Sequence, residues 1–355
     1  MDSELTVRSL QPTEADLQRF ADCFADNGWP TTVEHLRWQY LQPPARKLLV
    51  DLSVAHDDGG AEQVAGIYAV FPVEFRVGTA RVLGAQSLDT LTDRNFRGRG
   101  LFTSLARSVY ARCGTEGLAL VYGFPNGSSA PGFFNKLGWL PLDPVPFMIR
   151  PLRSGYFARR VPVLRSLPLP DLPLPGPSVP ALPAGWRIEP LTRFDERADE
   201  LWDRFASDVK VAVQRSGAYL NWRMARPGAG YTILALTEGE RLLGFVAFGV
   251  KEKHGGRIGY VIEQLSDPAA PAAARLLLAT AVAAMKKDRA DAVLAWSLGH
   301  APNHRAYQAT GFVRMPERLR PIELHFGVRP LQPEHTAALA DRSGWYLSYC
   351  DSDTV

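Results

Sequence analysis

The chain has 355 residues, of which 46% are apolar and 22% are charged, and its net charge is +3. This length suits two globular domains, and the ordinary share of apolar residues predicts that each domain buries a core. A net charge this close to zero argues against a dedicated nucleic-acid-binding protein, which usually carries a concentrated basic face.

The cysteines and the N-terminus bear on the cellular compartment. Cys23, Cys113 and Cys350 are widely separated and odd in number, so we expect no disulfide framework and predict a cytoplasmic protein. No cysteine and histidine have the spacing of zinc ligands, so no metal site is predicted. The polar N-terminus differs from a signal peptide, and no run of about 18 apolar residues is present, so we predict no membrane partner.

The N-terminal half is predicted to form an α+β fold. Helices and then β-rich strands are expected, in chain order, over 14–26, 33–41, 48–55, 64–73 and 81–90. Leu101, Leu105 and Val109 recur with helical spacing and predict a helix over 101–113. The continuous apolar run over 118–124 indicates a buried strand.

Prolines are concentrated between the two halves of the chain. From Pro168 to Pro177 every second or third residue is a proline, which removes a backbone donor and fixes φ. We therefore interpret 151–184 as an extended, semi-rigid linker. It would separate a first domain over 1–150 from a second domain over 185–330, with a C-terminal tail over 331–355.

Short segments of the first half recur in the same order in the second half. The matching pairs are 36–40 with 220–224, 66–71 with 244–248, 88–91 with 262–265, and 134–139 with 307–312. Four matches in register predict a duplicated domain.

The most informative segment follows the predicted strand 81–90. It contains Arg94, Arg97, Gly98, Arg99 and Gly100, directly before the predicted helix. Glycines allow close approach of the backbone to a ligand, and the first N–H groups of a helix have no internal partners. With the helix dipole and the arginines, they predict an anion site suited to a diphosphate. The alternative is a solvated turn that caps the helix.

This arrangement resembles the pyrophosphate loop of the Gcn5-related N-acetyltransferase (GNAT) superfamily. The family pattern, Gln/Arg-x-x-Gly-x-Gly/Ala after the fourth strand, is matched except that Phe102 replaces the final small residue. The resemblance implies two tandem GNAT-like domains, each with a mixed central sheet flanked by helices. It also implies that acetyl-CoA or a related acyl-CoA binds the first domain. The residues implied in the loop and first helical turn are Arg97, Gly98, Arg99, Gly100, Leu101, Phe102 and Thr103.

The resemblance further implies that the fourth and fifth strands splay apart around the pantetheine arm. Leu91 and Thr92 would bind the arm through their backbones, and Asn126 would lie near it. Phe134 stands where many family members have a tyrosine near the sulfur. Because phenylalanine has no proton to donate, protonation of the leaving thiolate would fall to solvent.

Asp89 is the candidate catalytic base. It lies on the predicted fourth strand, where family members often carry an acidic residue. Its carboxylate could bind the ammonium of the acceptor or relay its proton through water. The alternative is a hydrogen-bonded structural aspartate, because Glu263 stands at the equivalent position of the second half.

The second half lacks the phosphate loop. Asp267 would repel a phosphate at the equivalent position, and Pro268 and Pro271 remove N–H donors. We therefore predict that the second copy is degenerate and holds no acyl-CoA.

The predicted activity is N-acylation of a small-molecule amine by direct attack on an acyl-CoA thioester. Resemblance to sugar N-acyltransferases of bacterial polysaccharide pathways favours a nucleotide-linked amino sugar as the acceptor. One alternative is an aminoglycoside or polyamine acetyltransferase, which would need an acidic cleft. The other is a non-catalytic acyl-CoA-binding module, which Phe134 and the degenerate half would suit. The sequence does not indicate an oligomeric state.

Overall fold

A computed structural model describes residues 5–56, 60–158, 170–320 and 322–355. Part of the predicted linker, 159–169, lies outside the described residues. The chain divides into two compact units, each assembled from separate segments. Unit 1 comprises Met1–Pro144, Ala225–Gly228 and Leu324–Gly344, and unit 2 comprises Val145–Met224, Ala229–Glu323 and Trp345–Val355.

The strands account for most of the regular structure of both units. In chain order they are β1 (Leu5–Ser9), β2 (Leu49–His56), β3 (Glu62–Val77), β4 (Ala80–Thr92), β5 (Leu120–Gly123), β6 (Leu140–Leu142), β7 (Phe147–Pro151), β8 (Trp186–Pro190), β9 (Val211–Val213), β10 (Thr232–Glu238), β11 (Arg241–Lys253), β12 (Gly256–Ser266), β13 (Ala292–Trp296), β14 (Val313–Arg314) and β15 (Phe326–Pro330).

The helices lie between these strands. In chain order they are α1 (Glu14–Asp26), α2 (Val33–Leu36), α3 (Leu101–Thr115), α4 (Ala130–Lys136), α5 (Ser154–Ala158), α6 (Glu196–Phe205), α7 (Gly217–Met224), α8 (Pro271–Lys287), α9 (His304–Ala309) and α10 (Thr336–Ala340). A π-helical turn, Arg37–Leu41, extends α2 directly. Short 3-10 turns occur at Arg94–Phe96, Glu317–Leu319, Pro333–His335, Arg342–Gly344 and Tyr349–Asp351. No helix within the described ranges is both long and apolar enough to cross a bilayer.

Unit 1 is built on a mixed sheet with the order β1-β2-β3-β4-β5-β15-β6. Only β4 and β5 pair in parallel among these neighbours. The apolar face of α3 (Leu105, Ala106 and Val109) is buried in the core of this unit. The buried Asp51 on β2 holds α3 against the sheet, because it accepts hydrogen bonds from Ser108 at 2.6 Å and from Arg112.

Unit 2 repeats this topology with the order β8-β10-β11-β12-β13-β7-β14, and its one parallel pair is β12 with β13. The helix α8 packs its buried Leu277, Ala281 and Met285 into the core of this unit. The predicted α+β class, with a mixed central sheet in each half, is therefore confirmed.

The compact units differ from the consecutive ranges 1–150 and 185–330. In each sheet, the sixth strand comes from the other half of the chain. This strand is β15 in unit 1 and β7 in unit 2. The apolar residues of β7 pair with β13, for example Phe147 with Trp296, and are buried there. Strand pairing, not order along the chain, thus decides membership of a unit. The predicted tail 331–355 likewise divides at residue 344.

The end of the chain belongs to the core of unit 2. Tyr349 stacks on Trp296 with ring centroids 4.7 Å apart. The Arg215 guanidinium pairs with Glu263 and Asp351 at 2.6 Å each, and all three side chains are fully buried. Buried ion pairs of this kind depend on having every partner present, because a buried charge without its partner is costly.

Replacing Asp351 should therefore destabilise the protein. We expect Asp351→Ala to lower the free energy of unfolding of unit 2 by about 3–5 kcal/mol, measured by urea denaturation. The matched control is Asp208→Ala, at an exposed position of the same unit, which should change it by no more than about 0.5 kcal/mol. Equal midpoints for the two variants would contradict this account of the tail.

Candidate active site

The loop after β4 is held by the end of α1. Asp93 caps the 3-10 turn by accepting from the Asn95 amide at 2.9 Å. The side chain of Asn27 donates to Asp93 at 2.8 Å and accepts from the Arg94 amide at 3.0 Å. These bonds fix the direction in which the chain leaves the sheet before the glycines.

Gly98 and Gly100 both adopt left-handed backbone conformations, with φ of 82° and 74°. An added Cβ would meet no heavy atom within 4 Å at either position, so it is the backbone conformation that requires glycine. Thr103 donates to the Gly100 carbonyl through both its amide and its hydroxyl. The Thr103 side chain therefore stabilises the first turn of α3.

The N-terminus of α3 presents backbone donors that no protein group uses. No side chain caps the helix, and the amides of Gly100, Leu101 and Phe102 donate to no protein acceptor within the described ranges. Such amides, together with the helix dipole, favour an anion.

Three arginines surround this helix start. Arg94, Arg97 and Arg99 are all exposed, and the Arg99 guanidinium lies 5.4 Å from the centroid of the Phe96 ring. The loop thus combines positive charge with open backbone donors. These residues fit the diphosphate of a coenzyme.

The pairing of the strands before this loop ends early. The parallel pairing of β4 and β5 begins at Gly84 with Leu120 and ends at Ser87 with Gly123. The strand β4 continues to Thr92, where Leu91 and Thr92 pair with β3 on the other side and are partly exposed. Beyond Ser87 no described strand pairs with β4 on this side, and we call this unpaired stretch, which leads to the glycine loop, the gap.

Phe102 is accommodated by a glycine on the neighbouring helix. An added Cβ at Gly132 on α4 would lie 2.6 Å from the Phe102 ring. The ring also packs edge-to-face on Phe133, with centroids 5.2 Å apart. The departure from the small residue of the family pattern is thus matched by a small residue on α4.

Asp89 lies at an irregularity of β4. The register with β3 shifts near this residue, as expected for a β-bulge, and its φ is +44°. Its Oδ2 accepts from Tyr40 at 2.7 Å and from Gln39 at 2.5 Å, and the side chain stays partly exposed.

Asn126 and Phe134 follow β5 in the chain. The Asn126 side chain accepts from the amides of Ser128 and Ser129 at 3.0 Å each, so it shapes the turn before α4. Phe134 is half-buried on α4, and its ring centroid lies 6.2 Å from that of His325.

His325 is a residue that the sequence did not reveal. It precedes β15, and its amide donates to the Pro125 carbonyl just after β5. An imidazole therefore stands beside the phenylalanine that replaces the expected tyrosine. Only the long-range pairing of β15 brings His325 to this position, and no local sequence pattern predicts that pairing.

The other reactive side chains near this core are buried. Burial raises the pKa of the Cys113 and Cys23 thiols to about 12, so neither is a ready nucleophile. Burial also raises the pKa of Tyr68 and Tyr110, whose hydroxyls lie 2.5 Å apart. No group of three or more metal-ligating side chains occurs in the described part of the chain.

In unit 2 the corresponding loop holds a carboxylate of the chain itself. Asp267 accepts from the Ala269 amide at 2.9 Å and pairs with Arg204 and Arg241 at 2.8 and 2.5 Å. The carboxylate therefore already uses a backbone donor and two cations near the start of α8, where Pro271 also removes a donor. This loop differs in that respect from the glycine loop of unit 1.

The gap beside β12 in unit 2 is filled by the C-terminal segment. The pairing of β12 with β13 ends at Tyr260, and β12 continues to Ser266. The Tyr346 hydroxyl donates to Glu263 at 2.5 Å, and the Trp345 carbonyl lies 2.8 Å from His300 Nε2. The tail therefore contacts both β12 and the chain after β13.

Comparison with known proteins agrees with this fold. The profile of the GNAT acetyltransferase domain family matches residues 6–142. A GCN5-related N-acetyltransferase from Anabaena variabilis has 12% sequence identity and a TM-score of 0.65, and the alignment covers 93% of this chain and 73% of that chain. No curated protein sequence gives a significant match.

Two further solved structures have the same fold. A probable N-acyltransferase from Enterococcus faecalis has 11% identity and a TM-score of 0.61, over 94% of this chain and 74% of its own. The Saccharomyces cerevisiae N-myristoyltransferase, solved with bound myristoyl-CoA, has 14% identity and a TM-score of 0.59, over 92% and 83%. At these identities the similarity concerns the fold.

The strand–glycine loop–helix site and the family match define the class. Residues 6–142 form a GNAT acetyltransferase domain. The predicted resemblance to the GNAT superfamily is confirmed for residues 6–142, and the solved neighbours share the fold of the chain.

The contact between Phe102 and Gly132 can be tested by stability. Alanine usually stabilises a helix relative to glycine, but here the added methyl group would displace the Phe102 ring. We expect Gly132→Ala to lower the free energy of unfolding by about 1–2 kcal/mol in thermal denaturation. In the Phe102→Leu background the same change should cost less, and an equal cost in both backgrounds would contradict the contact.

Proposed function

We propose that unit 1 binds acetyl-CoA, or a related acyl-CoA, and transfers its acyl group to the amine of a small molecule. The main support for this proposal is the set of backbone amides at the start of α3 that donate to no described protein group. Arg97 and Arg99 precede these amides in the chain, and the gap beside β4 leads to them. Gly98, Gly100, Leu101 and Phe102 would hold the diphosphate, with Thr103 supporting the helix start. The S. cerevisiae neighbour with bound myristoyl-CoA supports acyl-CoA use but not a particular acyl chain.

The gap would hold the pantetheine arm. Leu91 and Thr92 would bind it through their backbones, and Phe134 and the turn at Asn126 would form its other wall. In the acyl-CoA thioester the acyl carbon is bonded to sulfur, and the CoA thiolate is a fair leaving group. Because the cysteines of unit 1 are buried and protonated, direct attack by the amine is favoured over a covalent acyl-cysteine.

Asp89 would receive the acceptor. The amine must lose its proton before attack, and a carboxylate can bind the ammonium and take or relay that proton. The amide bond then forms as the carbon–sulfur bond breaks, and the thiolate takes a proton from solvent. The partial exposure of Asp89 supports this role over a purely structural one.

A basic cleft that shares Tyr40 with the Asp89 contacts supports an anionic acceptor. A cleft of about 560 Å³ is lined by Pro12, Tyr40, Leu41, Gln42, Arg46, Lys47 and Leu48. Both charged lining residues are basic, although Lys47 also pairs with Glu116. A basic cleft suits the phosphates of a nucleotide-linked amino sugar better than a polycationic aminoglycoside or polyamine.

Binding of CoA tests the cofactor site. We expect Arg97→Ala and Gly100→Val each to weaken CoA binding by about ten-fold or more in calorimetry, because one removes a charge and the other forbids the left-handed backbone. The matched control is Arg107→Ala, an exposed arginine farther along α3, which should bind as the wild type does. Wild-type protein that takes up no CoA would overturn the proposal.

The acceptor class can be tested by thiol release. We expect acetyl-CoA to release free thiol with a nucleotide-linked amino sugar and not with an aminoglycoside or polyamine. Release with the polycations alone would refute the amino-sugar assignment. Tight CoA binding without turnover on any amine would indicate a non-catalytic binding module instead.

A further inference from the structure

Two consecutive residues donate to one oxygen of Asp89. Tyr40 donates its hydroxyl and Gln39 its amide, and both reach Oδ2. Each of these donors is only 2% exposed, whereas Asp89 remains partly exposed. Two buried donors therefore fix the carboxylate, while part of Asp89 stays exposed to solvent.

The local helix geometry explains how neighbours reach the same oxygen. Side chains at consecutive positions of an α-helix point about 100° apart. Gln39 and Tyr40 lie in the π-helical turn Arg37–Leu41, where more residues share each turn and consecutive side chains point in closer directions. Single π-helical turns of this kind are frequent at functional sites.

Each donor is itself held in place. The Gln39 amide oxygen lies 3.1 Å from His35 Nε2, which orients its NH₂ group towards Asp89. The Tyr40 ring packs on Phe20 of α1, with centroids 5.7 Å apart. The two side chains that bond to Asp89 are thus themselves fixed by contacts with His35 and Phe20.

Asp89 has an unusual backbone. A positive φ is unfavourable for a residue other than glycine and persists where the surroundings enforce it. The bulge in β4 and the bonds from Gln39 and Tyr40 supply such surroundings. Strain of this kind is common where a side chain must be aimed at a ligand.

We infer that Gln39 and Tyr40 are positioning residues that aim the Asp89 carboxylate at the acceptor amine. The inference rests on the proposed role of Asp89. Both of these donors are neutral. In unit 2, by contrast, the equivalent Glu263 is fully buried against the Arg215 cation.

The test is a double-mutant cycle on acyl transfer. Tyr40→Phe and Gln39→Leu should each lower kcat by about ten-fold, because a misplaced catalytic group loses rate steeply. The KM for acyl-CoA should stay unchanged, since neither residue belongs to the phosphate loop. In the Asp89→Asn background, each change should alter kcat by less than about two-fold, because the group being positioned is absent.

The control is another buried tyrosine hydroxyl of the same unit. Tyr110 contacts Tyr68 and Trp139 through its hydroxyl, and Tyr110→Phe should keep kcat within about two-fold. Circular dichroism would verify folding, and if Tyr40→Phe does not fold, Gln39→Leu carries the test alone.

Two results would overturn the inference in different ways. If the changes at Tyr40 and Gln39 lower kcat equally with and without Asp89, they act through the fold, and only the positioning role is wrong. If Asp89→Asn keeps full kcat, the proposed role of Asp89 is wrong as well, while CoA binding tests the cofactor site separately.

Discussion

The parallel pairing of β4 with β5 ends after four residue pairs, and the site depends on that limit. At the last pair the backbones approach so closely that a Cβ on Gly123 would lie 2.9 Å from the Ser87 carbonyl oxygen. Beyond it, β4 runs on to Thr92 without β5. Asp89, the unpaired edge of β4 and the glycine loop consequently follow one another along the chain.

Local patterns predicted the part of the site that is continuous in sequence. The strand, the loop with Gly98 and Gly100, and the helix from Leu101 lie where spacing and glycine placement indicated. The exchange of β7 and β15 between the units could not be predicted, because the pairing energy depends on residues far apart in the chain. His325 reaches Phe134 only through that exchange. The predicted helix 33–41 contained Gln39, but no periodicity signals a π-helical turn.

The two units share one topology but differ in the groups at the start of the equivalent helix. At the start of α3 the backbone donors are open and flanked by arginines. At the start of α8 the carboxylate of Asp267 already accepts from a backbone amide and pairs with two arginines. The C-terminal segment also occupies the gap beside β12. Unit 2 therefore satisfies internally the groups that unit 1 leaves available.

Asp89 and Glu263 stand at equivalent positions of the repeat, and their surroundings differ. Glu263 is fully buried, and its charge is balanced by Arg215, so separating this pair would leave an uncompensated buried charge. Asp89 is partly exposed, and its Oδ2 accepts from the neutral side chains of Gln39 and Tyr40. Residue type alone could not distinguish the two carboxylates. Their burial does.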